Sequence, residues 1–321
     1  MTTPVPHWPG RMLILRGGGE VWLAGPPASG AESGGTPGRE LVLCVHGMSG
    51  AATNWTDLMA GLAPDFDCAA VDLPGSGFSP PPRTGAGYSV TGHAGTVARL
   101  IETLGAAPVH LVGNSMGGAV ALRLAARRPD LVRTLTLISP ALPDLKVRAS
   151  VAHFPVLALP FVGEWLVRRY AARFPVENRV SGVFATCFYD PARVHPDRLA
   201  LEVEALRRRD GLRYEATALA RAARTLVGET LRPGPCSLWR DAGQVTAPSL
   251  VLFGSHDRLV NPRLADRAAS TFRDARVAVL PETGHLAQME RPDLVEALFR
   301  EMVDGTRARG AASAEATQVP G

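Results

Sequence analysis

Short apolar runs without polar alternation recur along the chain, and most of them are followed by a stretch with helical periodicity. The runs are "ELVLCVHG", "DCAAVDLPG", "PVHLVGN" and "VRTLTLISP" in the first half and "APSLVLFG" and "ARVAVLP" in the second. Continuous apolar runs of this length are typical of strands that are buried on both faces. The pattern therefore predicts an α/β fold in which a mostly parallel sheet is covered by helices on both faces.

The alternation of strands and helices stops near residue 140 and resumes at "APSLVLFG". The segment in between has no confident strand and carries helical patterns such as "DRLALEVEALRRR" and "YEATALARAARTLV". We interpret it as a helical cap that is inserted into the sheet domain, and we predict that the chain ends in a disordered tail. The predicted organisation is a first part of the core, a helical cap, a second part of the core and the tail, over residues 1–140, 141–243, 244–304 and 305–321.

Shorter elements complete this prediction. Residues 11–24 read as two short strands around a turn of three consecutive glycines. Residues 25–40 are rich in Gly, Pro, Ala and Ser and predict a surface loop. The helices are predicted over approximately 55–63, 90–105, 116–128, 262–272 and 289–303.

Composition narrows the class of protein. The chain is 46% hydrophobic and 20% charged, which is ordinary for a globular protein. Its formal net charge of +4 is small for 321 residues, and no basic cluster is interleaved with aromatic residues, so no nucleic-acid partner is expected. Cys44 and Cys68 lie in apolar runs and are expected to be buried free thiols in a reducing compartment.

Neither a signal peptide nor a transmembrane segment is predicted. The first residues lack a basic region followed by an apolar core. The longest apolar stretch, residues 151–167, is interrupted by His153, Pro155, Pro160 and Gly163, and it is too short to span a bilayer. We therefore expect a cytoplasmic protein.

The candidate chemistry begins at a serine between glycines. Gly113, Ser115 and Gly117 fit the pattern Gly-x-Ser-x-Gly directly after a predicted strand and at the start of a predicted helix. In such a turn the serine hydroxyl projects above the edge of the sheet, and the residues two before and two after it must be small. The helix that follows directs backbone N–H groups towards the place where an oxyanion would form. We predict that Ser115 is a nucleophile.

A nucleophilic serine needs a base, and the base needs an acid to orient it. His285 follows the last predicted strand and Asp257 follows the strand before it, where catalytic groups gather in open α/β sheets. The order Ser115, Asp257, His285 is the one expected for an α/β-hydrolase arrangement. His256 is a weaker candidate for the base, and Asp144 is the alternative acid.

A third motif, "HGMSG", follows the strand "LVLCV". Its glycine lets the chain bend across the serine, so that the backbone N–H of Met48 faces that of Met116 and both stabilise an oxyanion. His46 is interpreted as a structural residue that holds this loop through hydrogen bonds. Asp72 is expected to fix its own turn in "DLPGSGFSP".

The motifs "HGMSG", "DLPGSGFS", "GNSMGG", "GSHD" and "TGHLAQMERP" together resemble the α/β-hydrolase superfamily, in the branch with a serine nucleophile and a helical cap. The resemblance covers residues 41–140 and 247–303. It implies a triad of Ser115, Asp257 and His285, with no cofactor or metal. Haloalkane dehalogenases and epoxide hydrolases carry an aspartate nucleophile instead.

Within this branch the sequence resembles carboxylesterases and lipases, and also the C–C bond hydrolases that act on meta-cleavage products. The latter usually carry a tryptophan directly after the catalytic histidine, where this chain has Leu286. The expected function is therefore hydrolysis of a small-molecule carboxylic ester with an apolar acyl group, through an acyl-enzyme on Ser115. A C–C hydrolase and a non-catalytic ligand-binding protein of the same fold remain alternatives.

The predicted cap bears on the substrate. Residues 141–243 contain 16 basic and 11 acidic residues, a surplus that suits anionic substrates, a membrane surface or simply a solvated helix face. The stretch 151–167 either lines an acyl pocket over the serine or buries its apolar side chains against the sheet domain. Those side chains are Phe154, Leu157, Leu159, Phe161, Trp165 and Leu166.

Overall fold

The computed structural model describes residues 8–26, 38–146, 148–232 and 234–317, and its centre is an eight-stranded sheet. The strands are β1 (Gly10–Ile14), β2 (Glu20–Ala24), β3 (Leu41–Val45), β4 (Asp67–Val71), β5 (Val109–Asn114), β6 (Val132–Ile138), β7 (Ser249–Gly254) and β8 (Ala275–Leu280). Their order across the sheet is β1-β2-β4-β3-β5-β6-β7-β8. β2 pairs antiparallel with both of its neighbours, and all other neighbouring strands pair parallel. The predicted mostly parallel sheet is confirmed.

Helices cover both faces of this sheet, as the sequence predicts. They are α1 (Thr56–Leu62), α2 (Val90–Leu104), α3 (Met116–Arg127), α4 (Phe154–Leu157), α5 (Val162–Arg173), α6 (Val176–Cys187), α7 (Pro196–Asp210), α8 (Glu215–Leu231), α9 (Leu238–Gln244), α10 (Leu264–Thr271), α11 (Ala287–Glu290) and α12 (Pro292–Thr317).

Strand β3 shows why its sequence lacks polar alternation. Leu43 and Val45 contribute to the apolar layer shared with α2 and α3, and Val42 and Cys44 contribute to the layer shared with α1 and α12. All of these side chains are fully buried, because successive residues of a strand point to opposite faces and helices cover both. Cys44 and Cys68 are buried free cysteines, as predicted.

The carboxyl-terminal helix is longer than predicted. The sequence predicts that this helix ends near residue 303 and that a disordered tail follows over 305–321, whereas α12 continues to Thr317. The helix contacts other elements in this region, since Arg307 donates a 2.6 Å hydrogen bond to Glu40 and Arg309 lies 3.5 Å from Asp274. Residues 318–321 lie outside the described residues, as do residues 27–37 of the predicted surface loop.

Helices α4 to α8 lie between β6 and β7, and we call them the inserted helices. Within the described part of this segment no strand interrupts them. Helices α4 and α5 pack on α8, and α6 packs on α7. Helix α9 falls inside the predicted cap, but Leu238, Trp239 and Ala242 belong to the apolar layer of the sheet domain. The limits 141–243 of a separate cap domain stay a prediction.

Across the described ranges, no single helix is long and apolar enough to cross a membrane. Two consecutive helical segments, taken together, have the length and composition of a membrane span, but the chain bends sharply between them. They are residues Ala149–Leu157 and Val162–Arg173, which meet at a bend of 119°.

Candidate active site

The serine of the Gly-x-Ser-x-Gly motif lies in the turn between β5 and α3, in a backbone conformation that most residues avoid. Ser115 has φ 54° and ψ −117°, which costs on the order of 1–3 kcal/mol. A Cβ added at Gly113 would lie 2.5 Å from the carbonyl oxygen of Gly117. One added at Gly117 would lie 2.1 Å from the carbonyl oxygen of Val45. The predicted strand–turn–helix context of Ser115 is confirmed, and close approach of the backbone explains both glycines.

Asp257 and His285 meet above the carboxyl ends of neighbouring strands. Asp257 follows β7, His285 follows β8, and Nδ1 of His285 lies 2.8 Å from Oδ2 of Asp257. The other carboxylate oxygen accepts hydrogen bonds from the backbone N–H groups of Leu259 (2.8 Å) and Val260 (2.9 Å). Both side chains are buried. The carboxylate is therefore held by three donors and can orient the imidazole.

The ionisation of Asp257 reflects two opposing influences. Burial of the carboxyl raises its pKa, but the charge and hydrogen bond of His285 and the N–H of Val260 outweigh this, so the pKa of Asp257 lies below its ordinary value. A carboxylate that stays ionised favours the Nδ1–H form of the neighbouring imidazole. That form leaves Nε2 of His285 free to accept a proton.

The loop that carries His285 is tied to the serine turn. The side-chain amide of Asn114, directly before Ser115, donates to the carbonyl oxygens of His285 and Ile138, both at 3.1 Å. Ser115 and His285 also line the same cavity. The backbone N–H of His285 donates to the carbonyl oxygen of Cys187 on α6, so the loop contacts the inserted helices as well.

Glu290 is a supporting residue that the sequence does not predict. Its buried carboxylate accepts hydrogen bonds from the backbone N–H groups of Gly284 (2.7 Å), Tyr189 (3.0 Å) and Asp190 (3.1 Å). It thereby joins the loop before His285 to the end of α6. The only sequence signal was an acidic residue shortly after the histidine in "TGHLAQMERP", which is too common to single out.

The predicted oxyanion donors, Met48 and Met116, belong to two segments that meet at the serine turn. A Cβ added at Gly47 would lie 3.0 Å from Cβ of Ser115, so the loop that begins with Gly47 and Met48 passes directly over the serine. Met116 is the first residue of α3, where a backbone N–H lacks a partner within the helix. Among the hydrogen bonds of the described residues, neither Met48 nor Met116 donates one from its backbone. Their role as oxyanion donors stays a prediction.

His46 and Asp72 have the structural roles that the sequence predicts. His46 donates from Nδ1 to the carbonyl oxygen of Gly47 (2.7 Å) and accepts at Nε2 from the N–H of Leu73 (2.9 Å). Burial lowers the pKa of His46 to about 4. Asp72 accepts from the N–H groups of Phe78 and Ala52, both at 2.7 Å, and burial raises its pKa to about 6.

The two alternative candidates are engaged elsewhere. His256 is exposed, its Nδ1 lies 2.9 Å from Oγ of Ser255, and its ring lies 4.3 Å from that of Tyr189. Asp144 accepts a 2.8 Å hydrogen bond from the backbone N–H of Lys146. The carboxylate that contacts His285 is that of Asp257.

A cavity of about 390 Å³ lies between the serine turn and the inserted helices, a size that suits a small or medium ligand. Its walls are mainly apolar, with Leu142, Phe154, Val180, Val183, Phe184, Leu206, Leu226, Val227, Leu231, Leu259, Val260, Leu264, Leu286 and Met289.

The apolar stretch 151–167 contributes less to this cavity than the sequence suggests. Val151, Phe154 and Pro155 line it. Phe161 is instead 86% exposed and Trp165 57% exposed. These two side chains neither line the predicted acyl pocket nor pack against the sheet, because the short helix α4 reverses the chain and α5 runs along the surface.

One end of the cavity is polar. Glu202 accepts hydrogen bonds from the Thr53 hydroxyl (3.1 Å) and the Asn54 amide (3.4 Å), and burial raises the pKa of its carboxyl. Arg209 reaches the same region and donates to the carbonyl oxygen of Ser49. In the described ranges, no three His, Cys, Asp or Glu side chains lie together as a metal-binding group.

Comparison with known proteins gives the family. A family model described as the alpha/beta hydrolase fold matches residues 40–292. The dihydrolipoyllysine-residue acetyltransferase component of the acetoin cleaving system of Cupriavidus necator is 30% identical over 279 residues, which are 86% of this chain and 66% of that protein. The chain thus spans slightly less than two thirds of that relative's length.

Two further matches carry other activities in their names. The pimeloyl-[acyl-carrier protein] methyl ester esterase of Neisseria meningitidis is 26% identical over 277 residues, covering 82% of this chain and 93% of the esterase. The solved 2-hydroxy-6-oxo-6-phenylhexa-2,4-dienoate hydrolase of a Rhodococcus species has a TM-score of 0.71 at 22% identity, covering 93% of this chain and 99% of the hydrolase. The named reactions differ, so they share the fold rather than one substrate. By its family match and its sheet, this protein is a member of the α/β-hydrolase superfamily.

Proposed function

We propose that this protein is a serine hydrolase that cleaves carboxylic esters with an apolar acyl group through an acyl-enzyme on Ser115. The observation that carries the proposal is the 2.8 Å contact between His285 and Asp257, next to the cavity that Ser115 also lines. The proposal requires Nε2 of His285 to reach the Ser115 hydroxyl, which would complete the serine–imidazole–carboxylate arrangement that activates a hydroxyl for acyl transfer.

In the first half of the reaction, Nε2 of His285 removes the proton of the Ser115 hydroxyl as the oxygen attacks the ester carbonyl. Asp257 keeps the imidazole oriented and stabilises its positive charge. The carbonyl oxygen becomes an oxyanion that accepts hydrogen bonds from the backbone N–H groups of Met48 and Met116, each of which lowers the barrier by about 3 kcal/mol. The C–O bond then breaks, and His285 returns the proton to the leaving alcohol.

The second half uses the same groups in reverse. His285 removes a proton from a water molecule, the hydroxide attacks the acyl carbon, and the bond to the Ser115 oxygen breaks as that oxygen regains the proton. The free acid then leaves. Every proton passes through His285, so the proposed cycle uses only side chains and amides of this chain.

Turnover of p-nitrophenyl esters with increasing acyl length tests the proposal. The wild-type protein should release nitrophenol, and Ser115→Ala should lower kcat at least about 10³-fold. Ser255→Ala is the matched control, because that serine lies at the same edge of the sheet and contacts His256 instead. Labelling of Ser115 by a fluorophosphonate probe separates a hydrolase from a ligand-binding protein. Normal turnover by Ser115→Ala would refute the mechanism.

Hydrolysis of a C–C bond is the second candidate, and Arg209 favours it. A guanidinium in a mainly apolar cavity suits a substrate with a carboxylate, such as a dienoate. Bleaching of a coloured 2-hydroxy-6-oxo-dienoate, measured beside the ester assay, decides between the two reactions. We expect a higher kcat/KM for the esters. A kcat/KM at least tenfold higher for the dienoate, which corresponds to ~1.4 kcal/mol in the activation free energy, would reverse the assignment.

A further inference from the structure

The end of α4, the start of α5 and the loop between them expose an unusual number of large apolar side chains. Phe161 is 86% exposed, Trp165 57% and Leu159 50%, and Val156 and Val162 are also exposed. We call these five residues the α4–α5 patch. Large apolar side chains that are exposed as one contiguous group mark an interaction surface rather than ordinary surface composition.

The patch is held in place by its supporting helix. Helices α4 and α5 pack on α8, and the side chain of Arg224 on α8 donates a 2.7 Å hydrogen bond to the carbonyl oxygen of Ala158. Gly163 is so close to α4 that an added Cβ would lie 1.9 Å from the carbonyl oxygen of Leu157. Phe161 itself has φ 64°, a conformation that non-glycine residues rarely adopt. The aromatic side chain is thus presented outward from a supported turn.

Positive charge accompanies the patch. Arg168, Arg169 and Arg173 on α5 are all exposed. Glu164, the only acidic residue between positions 149 and 174, lies 3.7 Å from Arg224 and is largely buried. The outer side of α5 therefore combines apolar side chains with guanidinium groups that form no ion pair within the described part of the chain.

We propose that the α4–α5 patch docks on the surface of a bilayer that contains anionic lipids. Apolar side chains enter the boundary between headgroups and acyl chains, while basic side chains pair with anionic headgroups. Helix α5 has 12 residues and is about 18 Å long, which is less than the ~30 Å of hydrocarbon that a spanning helix must cross. The 119° bend between the two helices also suits a segment that lies in the interface.

The α4–α5 patch adjoins the cavity that contains Ser115, so docking of the patch would affect access to that cavity. Val151, Phe154 and Pro155, which immediately precede the patch, line the cavity that contains Ser115. Docking therefore brings the wall of the cavity next to the bilayer, where an apolar ligand is concentrated. The inference does not depend on the proposed reaction, because binding to a bilayer requires no catalytic serine.

Sedimentation of the full chain with sucrose-loaded vesicles tests the inference. Vesicles of phosphatidylcholine with about one third phosphatidylglycerol should bind the protein, and pure phosphatidylcholine should bind it much less. Phe161→Ser/Trp165→Ser should weaken binding to anionic vesicles at least tenfold, since the variant lacks the two largest apolar side chains that would enter the bilayer. The control is Ile14→Ser/Val279→Ser, which changes exposed apolar residues on β1 and β8.

The charge contribution is tested separately. Replacing Arg168, Arg169 and Arg173 by glutamine should lower the partition coefficient about fivefold for each arginine removed. Glutamine at Arg16, Arg83 and Arg273, which are exposed elsewhere, is the matched control. Equal losses in both sets would overturn the proposal, because they would indicate attraction by net charge alone.

Two other outcomes also overturn it. One is the absence of binding to anionic vesicles. The other is a dimer in sedimentation velocity that Phe161→Ser/Trp165→Ser dissociates, because the patch would then be covered by a second copy of the chain. Ser115→Ala should bind vesicles as the wild type does, whether or not the protein hydrolyses esters. Failure of the proposed reaction and failure of docking are therefore distinguishable.

Discussion

The imidazole of His285 and the carboxylate of Asp257 lie 2.8 Å apart although 28 positions separate them in the sequence. They meet because β7 and β8 are neighbouring parallel strands, and each residue belongs to the loop that follows its strand. The contact occupies Nδ1 of the imidazole and leaves Nε2 out of it. In the proposed reaction, this carboxylate determines which ring nitrogen carries the proton.

The first prediction concerns that contact. Asp257→Asn should lower kcat for ester hydrolysis about 10⁴-fold, the loss known for the same change in a Ser-His-Asp triad on another fold. The amide oxygen of asparagine can still accept from Leu259 and Val260, so the fold should persist, which circular dichroism will check. Asp144→Asn is the control and should keep most of the activity. Similar losses in both variants would contradict the role of Asp257.

The second prediction concerns the glycine after the serine. Gly117→Ala should destabilise the protein by about 3 kcal/mol, because the added Cβ would lie 2.1 Å from the carbonyl oxygen of Val45. Gly182 on α6 has nothing within 4 Å of an added Cβ, so Gly182→Ala should stabilise the protein by up to about 1 kcal/mol. Urea unfolding measures both. Equal stability of the two variants would show that the turn tolerates a side chain.

The third prediction concerns a buried charge cluster between α3 and its neighbours. Arg123 is fully buried and donates 2.8 Å hydrogen bonds to Glu229 on α8 and to Asp241 on α9. Arg123→Met leaves Asp241 buried without its guanidinium partner and leaves Glu229 with only its 3.1 Å ion pair to Arg232. It should cost about 3–5 kcal/mol in the free energy of unfolding.

Arg128→Met is the matched control for that cluster. Arg128 forms ion pairs with Glu102 and Asp130 at the surface, and their loss should cost less than about 1 kcal/mol. Urea unfolding at neutral pH compares the two variants. Comparable losses would mean that the buried cluster contributes no more than a surface ion pair.

The fourth prediction concerns acid sensitivity. Burial lowers the pKa of His93 to about 3, with a contribution from His46, and among the described residues its Nδ1 has no hydrogen-bond partner. The unfolded chain binds a proton at this site below about pH 6.5 and the folded protein does not, so stability falls as the pH decreases through this window. Between about pH 7.5 and about pH 5, His93 should account for about 2 kcal/mol of lost stability.

Urea unfolding of His93→Leu at both pH values measures this contribution. The variant should lose about 2 kcal/mol less than the wild type on acidification, whereas His256→Leu, which changes an exposed histidine, should behave as the wild type. The raised pKa of Asp72 makes its contribution to the free energy of unfolding fall as the pH rises to about 6. Asp72 is present in every variant, so this contribution cancels when the variants are compared with the wild type. An unchanged pH dependence in His93→Leu would contradict the assignment.

Local signals explain what could be predicted from the sequence. The parallel strands lack polar positions because both faces are covered, and the serine turn needs glycines because backbone atoms approach at Gly113 and Gly117. Asp257 and His285 could be placed because each lies within five residues of the end of a strand. In these cases the structural requirement, such as a buried strand or a tight turn, and the residue that meets it are close together in the sequence.

Features that depend on distant contacts could not be predicted. Glu290 gains its role from N–H groups about 100 positions earlier, which no local pattern reveals. The extension of α12 is accompanied by contacts of Arg307 and Arg309 with distant acidic residues. The outward orientation of Phe161 and Trp165 results from the reversal of the chain after α4, whereas their composition alone suggested burial.

The position of the inserted helices in the chain, between strands β6 and β7, has an evolutionary consequence. β6 and β7, the strands before and after them, are parallel neighbours, so the chain leaves the carboxyl end of β6 and has to return to the amino end of β7 at the other edge of the strands. Helix α9, which contributes to the apolar layer of the sheet domain, lies on this return path, so the inserted helices form an excursion between β6 and α9. A different excursion could be exchanged at this point without altering strand order or the loops that carry Ser115, Asp257 and His285. Ligand preference and bilayer affinity can thus diversify in one segment while the reactive groups stay under separate selection.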